Sequence, residues 1–451
     1  MLFIPIASID TIPNLRSKRF DSCKLDRNRF PFDGARAPGF LVQGVSLGCE
    51  RATWTQRQAA WAGRAGGAAA HWAGWAALLV LVAAVAHAVA AVACRVPTMK
   101  IGLVGFWQSG RTTLFDALSG GHARAGVATV PLPDPRLEQL AVLENAKKVS
   151  PAALEWHDDL PDAMLDKPDT VRAMLAALRP MDALVIVLRA FDNPYAPYHA
   201  PIDPLRDLRR WLDEFVLSDL QAIENRLERL ERLFQSHKES AGDRAEAQVL
   251  DELRARLNRG ENLRRLEFAS EMEARLRGFG FLMRKPLVAV ANLAERVLGN
   301  EASLSEWQSL RSLCEAAGIP LITLCAPFER DLQQLPPEER MPFLEMMGLS
   351  EARLNGLVQA VYEQLQVQRF YTLVEGDVRA WLVRRGVTAL EAAATIHTDM
   401  ARGFIRAEVC HADEVIASGG WHAAHRAGKV QLVGREYALR DGDVLQIRFN
   451  V

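Results

Sequence analysis

The sequence predicts an α/β protein with three folded parts: a glycine-loop α/β core, a helical coiled-coil arm inserted into it, and a C-terminal β-grasp domain. A strand, a glycine-rich loop and a helix follow residue 100, leucines recur three and four residues apart in the middle, and short alternating strands bracket one helix near the C-terminus. At about 100–200 residues per domain, a chain of 451 residues accommodates three domains. We place the core at 99–204 and 286–367, the arm at 205–285 and the C-terminal domain at 368–451.

The composition excludes several classes of protein. The 54 Lys and Arg residues nearly balance 55 Asp and Glu, and 49% of the residues are hydrophobic, so neither a fully disordered chain nor a polybasic nucleic-acid tail fits. The cysteines form no Cys-x-x-Cys pair, which argues against a zinc site and a secreted disulfide framework and favours a reducing, cytoplasmic location. They are Cys23, Cys49, Cys94, Cys314, Cys325 and Cys410.

The first 98 residues differ from the rest of the chain. They carry 11 basic and 5 acidic residues, whereas the remainder carries 43 and 50. An uncharged stretch between Arg64 and Arg95 is long enough to span a bilayer, but it is mostly Ala and has Arg on both sides. We favour the interpretation that the functional protein begins at Met99 and that no membrane is involved. A marginal membrane anchor at 76–93 and a soluble Ala-rich helix are the alternatives.

The segment after Met99 contains a phosphate-binding motif. A short apolar strand at 101–105 precedes Gly105-Phe-Trp-Gln-Ser-Gly110-Arg111-Thr112-Thr113, and a helical stretch follows at 114–118. This is the Gly-x4-Gly-Lys-[Ser/Thr] pattern with Arg in place of Lys. The glycines let backbone N–H groups surround phosphate oxygens, and the Thr112 hydroxyl is placed to ligate Mg²⁺. A glycine-rich turn without a ligand is the alternative.

Several downstream motifs resemble those of the Obg-like ATPases of the YchF type, a branch of the P-loop GTPases. They are Pro133-Asp-Pro-Arg-Leu137, Val290-Ala-Asn-Leu-Ala-Glu295, Leu324-Cys-Ala-Pro-Phe-Glu329, Ile396-His-Thr-Asp-Met-Ala-Arg-Gly-Phe-Ile-Arg-Ala-Glu408 and Leu439-Arg-Asp-Gly-Asp-Val444. The resemblance covers about 99–451. It implies a G-domain-like core, a helical arm, a C-terminal TGS domain that packs on the body, and an association with the ribosome or RNA.

The same resemblance implies that the nucleotide is ATP rather than GTP. The base-recognition motif of GTPases is Asn-Lys-x-Asp, whereas this chain has Asn292-Leu293-Ala-Glu295 after an apolar strand at 286–291. Asn292 would meet the purine edge and Leu293 would give apolar contact. Cys325 and Ala326 correspond to the loop beneath the base.

Two segments depart from the family pattern. Only residues 120–130 connect the P-loop helix to the Pro-Asp-Pro-Arg segment, so the Thr-bearing first switch looks deleted. The second switch lacks its glycine, although Asp158 or Asp159 is placed to approach Mg²⁺. Because phosphoryl transfer depends on positioned water, metal and charge, the loss of the Lys and both switches predicts that ATP hydrolysis is weak or lost.

The sequences of the arm and of the C-terminal domain predict binding modules rather than catalytic domains. A coiled-coil seam predicts an antiparallel helical hairpin whose charged residues form a solvated face. In the C-terminal domain we interpret His397 and Asp399 as structural. His411, His422 and His425 lack the spacing of a metal site. The seam consists of Leu220, Ile223, Leu227, Leu230, Phe234, Leu250, Leu253 and Leu257.

We therefore predict a purine nucleotide-binding protein, with ATP favoured over GTP and Mg²⁺ as the metal, associated with the ribosome. Its enzymatic activity is left open. The phosphate contacts are Gly105, Gly110, Arg111, Thr112 and Thr113. The alternative function is a nucleotide-free adaptor that binds the ribosome or RNA through the TGS domain and the arm.

Overall fold

The computed structural model describes residues 99–264, 266–298, 306–347, 349, 352–374 and 376–450. The interpretations of residues 1–98 lie outside the described residues. Among the described residues, no helix combines the length and the apolar character needed to cross a membrane.

The strands form two six-stranded sheets. In chain order they are β1 (Lys100–Val104), β2 (Val127–Pro131), β3 (Lys148–Ser150), β4 (Ala153–His157), β5 (Ala183–Ala190), β6 (Leu287–Leu293), β7 (Leu321–Leu324), β8 (Val367–Val374), β9 (Asp377–Arg384), β10 (Phe404–His411), β11 (Gln431–Val433) and β12 (Asp443–Phe449).

The α-helices of the core and arm are α1 (Arg111–Ser119), α2 (Pro135–Leu143), α3 (Pro168–Leu178), α4 (Pro204–Gln235), α5 (Ala241–Asn258), α6 (Ser270–Arg277), α7 (Glu306–Ala317), α8 (Ala326–Gln334), α9 (Pro337–Met346) and α10 (Arg353–Gln364). Those that follow β9 are α11 (Ala389–Ile396), α12 (Thr398–Arg402), α13 (Ala412–Ser418) and α14 (Trp421–Arg426).

The core sheet has the strand order β2-β4-β1-β5-β6-β7. Its strands pair in parallel except for β2, which runs antiparallel to β4. All seven residues of β6 are buried, as expected for a strand covered on both faces, and this explains its uninterrupted apolar sequence. The carboxyl end of β1 lies between those of β4 and β5, and a ligand of a parallel sheet is expected at such an edge.

The arm contains a pair of long helices, α4 and α5, and each is stabilised by a cap at its N-terminus. Asp203 accepts a hydrogen bond from the Arg206 N–H and Pro204 begins α4, while Ser240 and Asp243 form a capping box on α5. The short loop between α4 and α5 makes the two helices antiparallel neighbours. The predicted seam lies at their interface: Ile223, Leu227, Leu230, Leu250, Leu253 and Leu257 are buried, and Leu220 and Phe234 pack partly buried against them.

The C-terminal sheet has the order β11-β10-β12-β8-β9-β3. Its edge strand β3 comes from the range that we assigned to the core, and it pairs in parallel with β9. One continuous hydrophobic cluster contains Leu140 of the core together with Val378 and Val444 of the C-terminal domain. The C-terminal domain therefore packs on the core, as the resemblance implies.

Candidate functional site

The predicted phosphate-binding loop joins β1 to α1, and its two glycines occupy positions that exclude a side chain. A Cβ atom on Gly105 would lie 2.4 Å from Ser109 Oγ and 3.0 Å from the Val187 carbonyl oxygen. Gly110 has a φ of +88° and a Cβ atom there would lie 2.1 Å from Asn292 Nδ2. Both glycines are therefore required by the backbone of this loop.

Two buried side chains hold the loop from the neighbouring strands. Arg189 of β5 is 1% exposed and donates hydrogen bonds to the carbonyl oxygens of Gln108, at 3.1 Å, and Phe191, at 3.1 Å. Asn292 of β6 donates from Nδ2 to the Ser109 carbonyl oxygen at 3.1 Å and accepts at Oδ1 from the Ala326 N–H at 3.0 Å. Gln108 itself has a φ of +66°, which is uncommon for a residue with a side chain, so these ties stabilise a strained loop.

The loop surrounds a cavity of about 200 Å³, which residues 105–113 and Asp162 line. Gly110 is the N-cap residue of α1 and provides no capping side chain, so the first N–H groups of the helix are left for another acceptor. An uncapped helix N-terminus in a glycine loop favours an anion. The cavity is smaller than the roughly 300–1,000 Å³ of a pocket for a complete small ligand, and it suits phosphate groups.

Arg111, which replaces the lysine of the motif, has its guanidinium engaged by the segment that follows β4. Its Nε lies 2.6 Å from Asp158 Oδ1, and its Nη2 lies 3.1 Å from Asp162 Oδ1. Its Nη1 also donates to the Pro161 carbonyl oxygen at 3.2 Å, and Nη2 to the Leu160 carbonyl oxygen at 3.1 Å. The side chain is 8% exposed. All three nitrogens of the guanidinium are thus engaged by the segment 158–162.

Asp158 is a carboxylate that contacts Thr112, the predicted magnesium ligand. It accepts a hydrogen bond from the Thr112 side chain and pairs with Arg111. Burial raises the pKa of Asp158, and the contacts with Arg111 and Thr112 oppose that rise. A hydroxyl and a carboxylate are suitable oxygen donors for Mg²⁺. Arg111 already neutralises the Asp158 carboxylate, so Thr112 and Asp158 in this arrangement do not fit Mg²⁺. The assignment of Thr112 as a metal ligand stays a prediction.

The residues predicted at the base do not form an open pocket. Leu293 and Cys325 are 1% and 3% exposed and Ala326 is fully buried. Glu295 is exposed at the start of a 3₁₀ turn, Glu295–Val297. The structure brings Asn292 and Ala326 together with the phosphate-binding loop through hydrogen bonds. A role of Leu293, Glu295 and Cys325 at the base stays a prediction.

Two residues of the site were missed by the sequence analysis. Asp162 lies in a segment without a recognised motif, but Arg189 had a signal, because a charged residue interrupts the apolar strand Ala183–Ala190.

His397 accepts a hydrogen bond from the Asp399 N–H and caps α12, which agrees with a structural role. In the part of the chain that the structure describes, no group of three or more His, Cys, Asp or Glu side chains could hold a metal ion.

Comparison with known proteins identifies the family. Residues 367–450 match the family YchF-GTPase_C, described as a protein of unknown function (DUF933). The ribosome-binding ATPase YchF of Haemophilus ducreyi is 34% identical over 365 residues, with 78% of this chain and 99% of the relative covered. The corresponding protein of Bacillus subtilis is 32% identical over 363 residues, with the same shares covered. The chain belongs to the YchF family of Obg-like ATPases.

The YchF family assignment and the fold class from the sequence are therefore confirmed. The Obg-like ATPase 1 of Oryza sativa subsp. japonica is 28% identical over 366 residues, covering 78% of this chain and 92% of the relative. The structure of the Schizosaccharomyces pombe YchF GTPase superposes with a TM-score of 0.70 at 24% identity, covering 78% of this chain and 98% of that one. That similarity supports the fold described above for this chain.

Proposed function

We propose that this protein binds a purine nucleotide, with ATP favoured over GTP, through the phosphate-binding loop 105–113. The observation that supports the proposal is the pair of glycines whose Cβ positions are blocked at 2.4 Å and 2.1 Å, because they keep loop backbone close around a cavity with an uncapped helix N-terminus. Gly105, Gly110, Thr112 and Thr113 would contact the phosphates mainly through backbone N–H groups. The preference for ATP rests on Glu295 in place of the guanine-binding Asp and on the ATPase names of the relatives.

Hydrolysis is proposed to be weak or lost. The nucleotide supplies the phosphoryl group, and this chain would have to place water and positive charge beside it. Arg111 is engaged by residues 158–162, and α1 connects to β2 through 120–126 only. The other residues of the loop, Gly105, Gly110, Thr112 and Thr113, would bind and orient phosphate rather than activate water.

Isothermal titration of the complete chain with ATP, ADP and GTP tests the nucleotide proposal. We expect saturable heat with adenine nucleotides and weaker heat with GTP. A Gly110→Ala variant should abolish the signal, whereas Gly121→Ala should keep it, because Gly121 also has a positive φ but its Cβ would meet no atom within 4 Å. Absence of heat for the unaltered chain up to millimolar nucleotide would leave the adaptor function instead.

Ribosome association is the second part of the proposal, and the names of the relatives from Bacillus subtilis and Haemophilus ducreyi support it. The arm at 205–285 and the TGS domain at 368–451 would carry the contacts. Phe106 of the phosphate-binding loop stacks on Trp211 of α4 with ring centroids 4.6 Å apart, so the base of the arm directly contacts the loop. Co-sedimentation with purified ribosomes, with and without ATP, tests this part. A chain that stays in the supernatant in both conditions contradicts it.

A further inference from the structure

We infer that Arg111 fastens the segment 158–162 to the phosphate-binding loop instead of contacting phosphate, and that the site therefore does not favour a triphosphate over a diphosphate. This inference rests on the proposed nucleotide binding. It concerns which phosphates of the nucleotide receive charge from this chain, and it follows from three observations on the described residues.

The first observation is the saturation of the guanidinium. Nε, Nη1 and Nη2 contact Asp158 at 2.6 Å, the Pro161 carbonyl oxygen at 3.2 Å, and the Leu160 carbonyl oxygen and Asp162 at 3.1 Å each. Charge-assisted hydrogen bonds to carboxylates are stronger than those between neutral groups, and the planar guanidinium can bind several fixed acceptors at once. To reach a phosphate, Arg111 would have to leave Asp158 unpaired in a site where that side chain is 8% exposed.

The second observation is that residues 158–163 are also fastened elsewhere. The Trp107 N–H donates to the Ala163 carbonyl oxygen at 2.9 Å, and the N–H groups of Asp158 and Asp159 donate to the Gly126 carbonyl oxygen at 2.8 Å and 3.2 Å. Gly126 has no room for a Cβ atom, which would lie 2.7 Å from the Asp159 nitrogen. These hydrogen bonds hold residues 158–163 to the phosphate-binding loop on one side and to Gly126 on the other.

The third observation is the charge around the cavity. Arg111 carries one positive charge, whereas Asp158 and Asp162 together carry two negative charges. Asp162 lines the cavity and its side chain is 59% exposed. The backbone N–H groups of the loop suit the inner phosphates, but a terminal phosphate receives no free cation from this cluster and adds repulsion with Asp162. In the usual motif the lysine reaches that phosphate.

The test compares the affinities of the complete chain for ATP and ADP by isothermal titration, both with Mg²⁺ and with EDTA. We expect the two dissociation constants to agree within about threefold in the unaltered chain. Asp162→Asn should shift the ratio towards ATP by about fivefold or more, because it removes the repelling charge and loosens Arg111. The matched control is Asp116→Asn, which removes an exposed carboxylate on α1 outside the residues that line the cavity.

A second variant tests the contacts between Arg111 and residues 158–162. Arg111→Lys removes the fork but keeps the charge, and a slim lysine is free to reach a terminal phosphate, so this variant should also gain a preference for ATP. A preference for ATP of about tenfold or more in the unaltered chain overturns the inference while the proposed function stands. An unchanged ratio in Asp162→Asn overturns the inference as well. Absence of binding by the unaltered chain in both buffers overturns the proposed nucleotide binding and the inference with it.

Discussion

The phosphate-binding loop and the junction between the core and the C-terminal domain are each organised by a buried aspartate that contacts an arginine. Asp158 pairs with Arg111, which lies in the same site, and the pair fastens α1 to the segment after β4. Asp134 is 6% exposed and caps α2, while it accepts hydrogen bonds from the Tyr371 hydroxyl at 3.1 Å and 3.0 Å and lies 3.4 Å from Arg369. The first aspartate acts within the core, and the second connects the core to the C-terminal domain.

The two sites differ in the part of the chain that provides the arginine. At the junction, Arg369 and Tyr371 contact Asp134 from the C-terminal domain. At the loop, the same kind of pairing uses the residue that should contact phosphate. A planar fork suits several fixed acceptors at once, whereas a lysine is a single mobile charge. Under the role that we propose for Arg111, the replacement of Lys by Arg converts a ligand-binding position into a structural one.

Removal of the junction carboxylate should have the largest effect. Asp134→Ala removes the acceptor of the Tyr371 hydroxyl, the carboxylate beside Arg369 and the cap of α2. We expect a loss of about 3–5 kcal/mol in the free energy of unfolding, measured by urea denaturation.

The control for this prediction is Asp413→Asn. Asp413 also connects the two parts, through Arg136 at 3.0 Å, but its side chain is 60% exposed. An exposed pair should contribute about 1 kcal/mol or less. Equal losses in the two variants would show that burial of the junction carboxylate does not matter.

The glycine of the phosphate-binding loop should come next. Gly110→Ala places a methyl group against Asn292 at a φ of +88°, and we expect a loss of about 2–4 kcal/mol in the free energy of unfolding. Gly121→Ala, with a φ of +79° and open space, isolates the cost of the backbone angle at about 1–2 kcal/mol. If both variants lose the same amount, the contact with Asn292 is not what requires the glycine.

A double-mutant cycle sharpens the comparison between the two aspartates. Arg111→Met and Asp158→Asn, alone and combined, should give a coupling free energy of about 1–3 kcal/mol by urea denaturation. The physical reason is that Arg111→Met leaves Asp158 without its cation and Asp158→Asn leaves Arg111 without the carboxylate on its Nε, while the double variant contains neither charged group. Additive losses would mean that the 2.6 Å contact between Arg111 and Asp158 does not stabilise the fold.

The sequence indicated the glycines and the strands because their spacing encodes local backbone geometry. The predicted strands at 101–105 and 286–291 agree with β1 and β6 to within two residues. The direction of Arg111 was not predictable, because two of its acceptors are backbone carbonyl groups 49 and 50 residues further along the chain. A carbonyl group has no sequence signature. Strand β3 was missed for a related reason: its three residues are too few to show a period, and its partner β9 is distant in sequence.

A third buried aspartate, Asp219 of α4, shows the effect of burial on the pKa of a carboxyl group whose contact with an arginine is longer than in the other two pairs. It is fully buried and accepts hydrogen bonds from the backbone N–H groups of Leu282, at 3.0 Å, and Met283, at 2.8 Å. Its contact with Arg179 is longer, at 3.8 Å. Burial raises the pKa of Asp219 to about 6, and the two N–H groups, Arg179 and Lys285 only partly oppose the rise.

The smallest predicted effect is therefore a pH dependence of stability at Asp219. Because its pKa is higher in the folded state than in the unfolded state, the folded state binds the proton more tightly, and the resulting stabilisation is lost as pH rises through about 6. The free energy of unfolding of the unaltered chain should fall by about 1–2 kcal/mol relative to Asp219→Asn between roughly pH 4.5 and 7. Urea denaturation of both proteins across this range measures the difference. A free energy of unfolding that stays level or rises relative to Asp219→Asn over this range would mean that the two N–H groups, Arg179 and Lys285 offset the cost of burying the ionised carboxylate.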